Sequence, residues 1–258
     1  MKNQIKTQAT ATGIKIKTSM VTLIGLCLAA ASGAYAQVSS INSAVITPRV
    51  IDDIPGAMGT YLNKYPGFIS LSEAGVSQAS GGFADRDVWF FSNDGASAYQ
   101  FQNNDYFSAS FSVTLTDKAD SPRKEAGFLF SNNGYSPYGD LQFIVDSDGH
   151  EVVQFGGISF WAFAPTYVPP YFTGTTIRLG MKYFQAKDGN NAFQFSANGI
   201  FSPVFEFDPG FGIGNGNTLA GYFQIVNDPA DPNNAGTAVF SGINIISVRR
   251  FQQSNDSQ

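Results

Sequence analysis

From Phe107 the chain alternates. Phe107-Ser108-Ala109-Ser110-Phe111-Ser112-Val113-Thr114-Leu115 sets an apolar side chain at every second position and a hydroxyl between. A period of two places one face on a core and the other in solvent, the signature of a half-buried β-strand. Similar runs predict strands over 88–91, 98–101, 107–116, 126–130, 141–145, 151–155, 176–185, 192–196, 201–207, 219–226 and 238–248, punctuated by Gly, Asn, Asp and Pro. No helical period is sustained beyond about two turns. Asp148-Gly149 and Asp188-Gly189 each stand between alternating runs, and this pair tolerates the positive φ of a tight hairpin. The expected fold is all-β, an antiparallel β-sandwich or barrel.

Residues 37–86 are less regular. Pro48, Pro55 and Pro66 interrupt them and Gly81-Gly82 closes them, so one or two edge strands wrapping the sandwich are expected there. The chain then divides into a leader (1–36), this irregular segment (37–86), the sandwich core (87–250) and a polar tail (251–258). No repeat of 20 to 50 residues is visible, which argues against a propeller or solenoid.

The leader has no acidic residue. It carries Lys2, Lys6, Lys15 and Lys17, runs apolar from Met20 to Ala31, and ends Ala34-Tyr35-Ala36. That order is a secretory signal peptide, and cleavage after Ala36 would leave Gln37 first. The apolar run is shorter than the roughly twenty residues a spanning helix needs, so no membrane insertion is expected. Cys27 as an acylated residue is the alternative, but Leu26 is bulky where lipid attachment favours a small side chain. With the leader goes the only cysteine, which leaves neither a disulfide nor a thiolate metal site. Removing four of the 15 basic residues leaves 20 acidic ones facing 11 cations, a formal net charge of −9. So acidic a chain, with no basic cluster beyond Arg249-Arg250, is a poor partner for nucleic acid.

The order of parts after Phe107 resembles the concanavalin A-like lectin/glucanase superfamily. The residues that carry it are Glu125-Ala126-Gly127-Phe128-Leu129-Phe130, the 148–149 hairpin, Gly174 to Tyr183, the next hairpin, Asn198-Gly199, Ala220-Gly221-Tyr222-Phe223, and Val239 to Ile245. Ala44 to Val50 and Gly82-Phe83-Ala84-Asp85-Arg86 are also similar to exported bacterial proteins that often end in a sorting tail, which this sequence does not show. The resemblance implies a jelly-roll sandwich and a function on carbohydrate. Superfamily members that cleave β-glucans place two Glu residues four apart on one strand, because a retaining mechanism needs a nucleophile and an acid about 5 Å apart. Here Glu73, Glu125, Glu151 and Glu206 are all more than twenty residues from one another. Only carboxylates assembled from distant strands could serve such chemistry.

Three segments carry candidate chemistry. Ile158 to Phe172 holds six aromatics and three prolines and reads as a stiff loop, with Trp161, Tyr167 and Tyr171 as a platform for sugar rings; the alternative is a plug for an open end of the sandwich. Tyr135 and Tyr138, in a second polar-aromatic loop, complete the candidate ligand site. Asp228, Asp231 and Asn233, in Asn227-Asp228-Pro229-Ala230-Asp231-Pro232-Asn233-Asn234, offer the oxygen donors that calcium takes, against an ordinary acidic surface loop. His150, the sole histidine, reads as a solvated strand end. The readings that follow are a secreted, non-catalytic lectin-like module binding glycan or polysaccharide, a structural envelope or matrix protein without a small ligand, and a glycan hydrolase or lyase.

Overall fold

The computed structural model describes residues 35–37, 41–102, 105–117, 123–132, 140–155, 158–207 and 217–250. Among them there is no helix. Sixteen strands run β1 (Tyr35–Gln37), β2 (Ser43–Asp52), β3 (Met58–Lys64), β4 (Phe68–Ala74), β5 (Ala84–Ser92), β6 (Asp105–Asp117), β7 (Lys124–Asn132), β8 (Leu141–Asp146) and β9 (Glu151–Phe155). They continue with β10 (Ile158–Ala162), β11 (Thr176–Gln185), β12 (Asn191–Ala197), β13 (Ile200–Phe201), β14 (Phe205–Phe207), β15 (Asn217–Val226) and β16 (Ala235–Arg250). The strands form two antiparallel sheets. A nine-stranded sheet has the order β13-β12-β11-β6-β16-β4-β3, with β1 on β16 and β14 on β12; a seven-stranded sheet has the order β10-β9-β8-β7-β15-β5-β2.

The core lies between the sheets and is aromatic. Phe111 of the larger sheet stacks on Phe128 of the smaller at 4.0 Å, and Trp89 meets Phe111 and Phe240 edge-on at 5.8 and 5.6 Å. Alternation survives in β6, whose even positions stay half-exposed while Phe107, Ala109, Phe111, Val113 and Leu115 are buried. The middle strands of the seven-stranded sheet differ. β5 and β8 are buried at every position. Their second face carries a separate cluster of Val88, Phe90, Leu129, Ile144, Val152, Ala220 and Tyr222.

Both Asp-Gly turns form as expected: Gly149 and Gly189 sit at φ +91° and +95°, and their N–H groups donate to Asp146 O and Ala186 O. Three expectations change. Residues 98–101 make no strand, only an isolated bridge from Phe101 to Asn217. The run 201–207 splits into β13 and β14, because the Ser202 hydroxyl takes the Phe195 N–H at 3.0 Å and Pro203 has no N–H to offer. The segment after Gln37 supplies β2, β3 and β4, more than one or two strands and placed in both sheets. The leader lies outside the described residues up to Ala34. The expected cleavage point after Ala36 falls inside β1, whose backbone pairs with Val248, Arg249 and Arg250.

Candidate functional site

The aromatic segment is half strand and half loop. Ile158 to Ala162 form β10, the outermost strand of the seven-stranded sheet, with a bulge between Ser159 and Trp161. The bulge bends the edge and turns its rings toward the other sheet. The half-buried Trp161 indole sits edge-on against Phe163 at 4.2 Å and Phe205 at 5.9 Å, and Phe160 meets Phe205 at 5.5 Å. Phe205 belongs to β14, so the rims of the two sheets meet in one ring cluster. Phe160 is 43% exposed, and Ile158 at the start of the same strand is exposed too.

Beyond Ala162 the chain turns where the Tyr167 and Val168 N–H groups both donate to Ala164 O. This lifts Tyr167 into solvent, 72% exposed, and Phe172 with it. Tyr171 goes the other way. It is 3% exposed, its hydroxyl accepts the Leu115 N–H at 2.7 Å and donates to Thr175 O at 3.0 Å, and burial raises its pKa. A ring packed in the core has no face for a ligand, so Tyr171 is a structural post and not part of a platform. Tyr135 and Tyr138 lie outside the described residues.

The 227–234 loop is closed by its own side chains. Asp228 Oδ1 accepts the Ala230 N–H and Asp231 Oδ1 the Asn233 N–H, each a turn built on an aspartate. Asn227 Nδ2 donates to Gln78 O and Gly82 O, and buried Asn234 donates to Val76 O at 2.7 Å and Val226 O at 2.9 Å. Asn233 is exposed. Among the described residues no group of three His, Cys, Asp or Glu side chains is placed to hold a metal. His150 caps its strand end, with Nδ1 3.2 Å from buried Asp146 Oδ1 and most of its ring in solvent.

Two polar clusters escape a linear reading of the sequence. In the first, Glu73 of β4 meets Asp85 and Asp87 of β5 at one end of the sandwich. Tyr61 Oη lies 2.9 Å from Glu73 Oε1 and 3.0 Å from Asp87 Oδ1. Arg49 caps the group, reaching Asp85 at 3.1 Å, Asp52 at 2.9 Å and Glu73 at 3.5 Å, while its own N–H donates to Asp87. It does so from φ +52°, in the bulge that shifts β2 against β5. Burial pushes the Asp87 carboxyl up to about 7 and that of Asp85 to about 6. All three carboxylates are buried, so carboxylates distant in sequence do assemble here, largely out of water.

The second cluster crosses the outer face of the seven-stranded sheet. Register sets Gln154 beside Gln142, Gly127 beside Tyr222, and Glu125, Gln224 and Arg86 in one row. Arg86 donates to Gln224 at 2.8 Å and lies over the Tyr222 ring at 5.1 Å, and the Tyr222 hydroxyl donates to Glu125 at 3.0 Å. Asp140, 3.8 Å from Arg86, has its pKa raised by burial. These side chains are buried as well. The signal for both clusters was Asp85-Arg86-Asp87, which on a strand sends two acids to one face and a base to the other.

No family model matches the chain, and no curated protein matches it. Solved structures do. A family 7 alginate lyase, A1-II′, in complex with a product is similar over 72% of this chain and 82% of its own, at 13% identity and a TM-score of 0.50. Arcelin-5, a lectin-like defense protein from Phaseolus vulgaris, covers 82% and 100% at 10% identity and a TM-score of 0.45. The lectin UEA-II complexed with galactose covers 79% and 98% at 13% identity and a TM-score of 0.44. At such identities the likeness is one of fold. The chain adopts the concanavalin A-like jelly-roll sandwich.

Proposed function

We propose that this protein is a non-catalytic, lectin-like module that binds glycan or polysaccharide outside the cytoplasm, at the ring cluster of Phe160, Trp161 and Phe205, with the exposed Tyr167 of the loop that follows β10 as a further contact. The observation that carries the reading is the partial exposure of these rings at a bulged sheet edge. Flat rings with a polar tip grip the apolar faces of sugars, and a ring already fixed by edge-on contacts loses little freedom when a ligand stacks on it. Two features favour binding over catalysis: the carboxyl cluster at Glu73 and Asp87 is sealed, and so is the Arg86 and Tyr222 row. The similar fold of the alginate lyase supports a carbohydrate ligand.

The test is retention of the exported protein on a panel of immobilised polysaccharides, for the wild type, Trp161→Ala and Tyr167→Ala. Stacking contacts of this kind contribute on the order of 1 kcal/mol beyond area burial, so each variant should bind several-fold more weakly. A wild-type chain that no polysaccharide retains would leave the structural-protein reading in its place. Export itself is checked by N-terminal sequencing, with Gln37 expected first.

A further inference from the structure

The outer face of the nine-stranded sheet is a field of hydroxyls. Thr114 stands between Thr176 and Val239, Ser112 between Arg178 and Ser241, Ser110 between Gly180 and Asn244, and Ser108 between Lys182 and Ile246. Ser70 and Ser72 extend it on β4, and Ser196 and Gln194 on β12. Strand geometry spaces these groups about 4.8 Å apart across the sheet and about 7 Å along it. Part of the lattice is already linked, Thr114 to Thr176 at 2.7 Å and Ser72 to Thr237 at 2.9 Å.

The charge on this face has the opposite sign to the chain. The whole sequence carries a net −5, yet Arg178 and Lys182 stand exposed on β11, and among the described residues neither pairs with a carboxylate. Arg178 lies flat, its Nη2 2.7 Å from the Ser110 hydroxyl, and Lys182 Nζ stands 5.1 Å over the half-exposed Phe201 ring. Between them Gly180 carries no side chain, and the Ser196 hydroxyl leans into the space a Cβ there would fill. The carboxylate of this face among the described side chains is Glu206, at the β14 edge and hydrogen-bonded to Asp188. The centre of the face is therefore cationic and rich in hydroxyl and amide groups.

We propose that this face binds an acidic polysaccharide, a uronic-acid polymer, with Arg178 and Lys182 taking carboxylates and the surrounding Ser, Thr, Asn and Gln side chains taking ring hydroxyls. The inference rests on the glycan-binding reading but places a second, charge-selective surface on the opposite sheet. A polyuronate fits better than nucleic acid, because two cations neutralise too few phosphates to hold a duplex at physiological salt, whereas a uronate chain presents as many hydroxyls as this face can pair.

The experiment is retention of the full exported protein on polygalacturonate beads, with dextran beads and duplex-DNA beads alongside. Wild type should be held by polygalacturonate, released as salt rises, and pass through dextran-coupled and DNA-coupled columns at matched salt. The double variant Arg178→Gln, Lys182→Gln, with both sites on the surface and its melting temperature checked, should bind polygalacturonate about tenfold more weakly. Undiminished binding by the double variant, or equal retention on DNA, overturns the inference. Retention that falls with Trp161→Ala but not with the double variant belongs to the ring cluster and overturns this inference alone. A wild type that binds no polysaccharide overturns both readings.

Discussion

Glu73 and Asp87 meet on one phenol: the Tyr61 oxygen is 2.9 Å from Glu73 Oε1 and 3.0 Å from Asp87 Oδ1. A phenol has a single proton to donate, so it can serve one carboxylate. The other contact is satisfied when that carboxyl keeps its own proton and donates it to the phenol oxygen. Burial favours the same state, since two adjacent carboxylates out of water repel and are poorly solvated. Arg49 compensates part of the charge from the rim, and the pair joins β3, β4 and β5 at one end of the sandwich.

A pH dependence follows from these raised carboxyls. Asp85 is raised to about 6, Asp87 and Glu151 to about 7, each chiefly by burial. In the unfolded chain such groups release their protons near pH 4. Between those values the folded state holds more protons than the unfolded one, so the stability they contribute is full below about pH 4 and is lost as pH rises through 6 to 7. Thermal melts should show a falling melting temperature from pH 5 to pH 8. Asp87→Asn keeps an acceptor for the Arg49 N–H and removes the titrating charge, and should flatten that fall by on the order of 1–2 kcal/mol at pH 8. An unchanged slope in the variant would show that Asp87 is already ionised at pH 5.

A second prediction concerns Gly221, on β15 opposite Trp89 of β5. A Cβ there would lie 2.3 Å from the indole nitrogen and 2.5 Å from Cε2. Trp89 is fully buried and braced by Phe91, Phe111 and Phe240, so it has nowhere to withdraw. Gly221→Ala should cost about 1–3 kcal/mol or more, read from chemical denaturation. A loss below about 0.5 kcal/mol would mean that the ring shifts freely, against the packing described.

How much of this was readable beforehand depended on which face of a strand meets water. β6 was plain because its Ser and Thr side chains face solvent and mark every second position. β4 alternates too, with Ile69, Leu71 and Glu73 inward, but the inward acid and outward Phe68 blur the pattern. The central strands of the smaller sheet are buried on both faces and read as continuous runs, for which the sequence sets boundaries but no facing. Tyr167 and Tyr171 look equivalent in a chain of rings and prolines. Only the turn on Ala164 and the hydroxyl bond to Leu115 separate the exposed ring from the buried one. The spacing in Asp85-Arg86-Asp87 marks the two acids for one face, but their meeting with Glu73 depends on how the two sheets pack and is not written in either segment alone.

The 227–234 loop yields a third prediction. With one oxygen of Asp228 and of Asp231 bound to its own turn, and Asn227 and Asn234 tying the loop to 76–82, the loop is closed by protein groups alone. Millimolar calcium or excess chelator should leave the melting temperature unchanged. Asn234→Ala removes the side-chain donor to the Val226 carbonyl and one of two donors to the Val76 carbonyl, which keeps the Asp228 N–H, and should lower stability by about 1 kcal/mol. A calcium-dependent rise in melting temperature would instead assign Asp228, Asp231 and Asn233 to a cation.

The two tyrosines of the aromatic loop give the sharpest contrast between structure and binding. Tyr171→Phe keeps the ring and removes the oxygen, leaving the Leu115 N–H at the core edge without the acceptor it has at 2.7 Å and Thr175 O without its donor. That should cost about 1–3 kcal/mol of stability, because an unmet buried polar group carries its full desolvation penalty. Tyr167→Phe touches a side chain that stands in solvent and should change stability by less than about 0.5 kcal/mol. Glycan retention should move in the reverse sense: weaker for Tyr167→Phe, which loses the polar tip that meets a sugar hydroxyl, and unchanged for Tyr171→Phe at temperatures where that variant remains folded. Melting curves and bead retention on the two variants decide the matter together. A Tyr171→Phe chain that melts like wild type but loses glycan would return Tyr171 to the binding surface and contradict its burial.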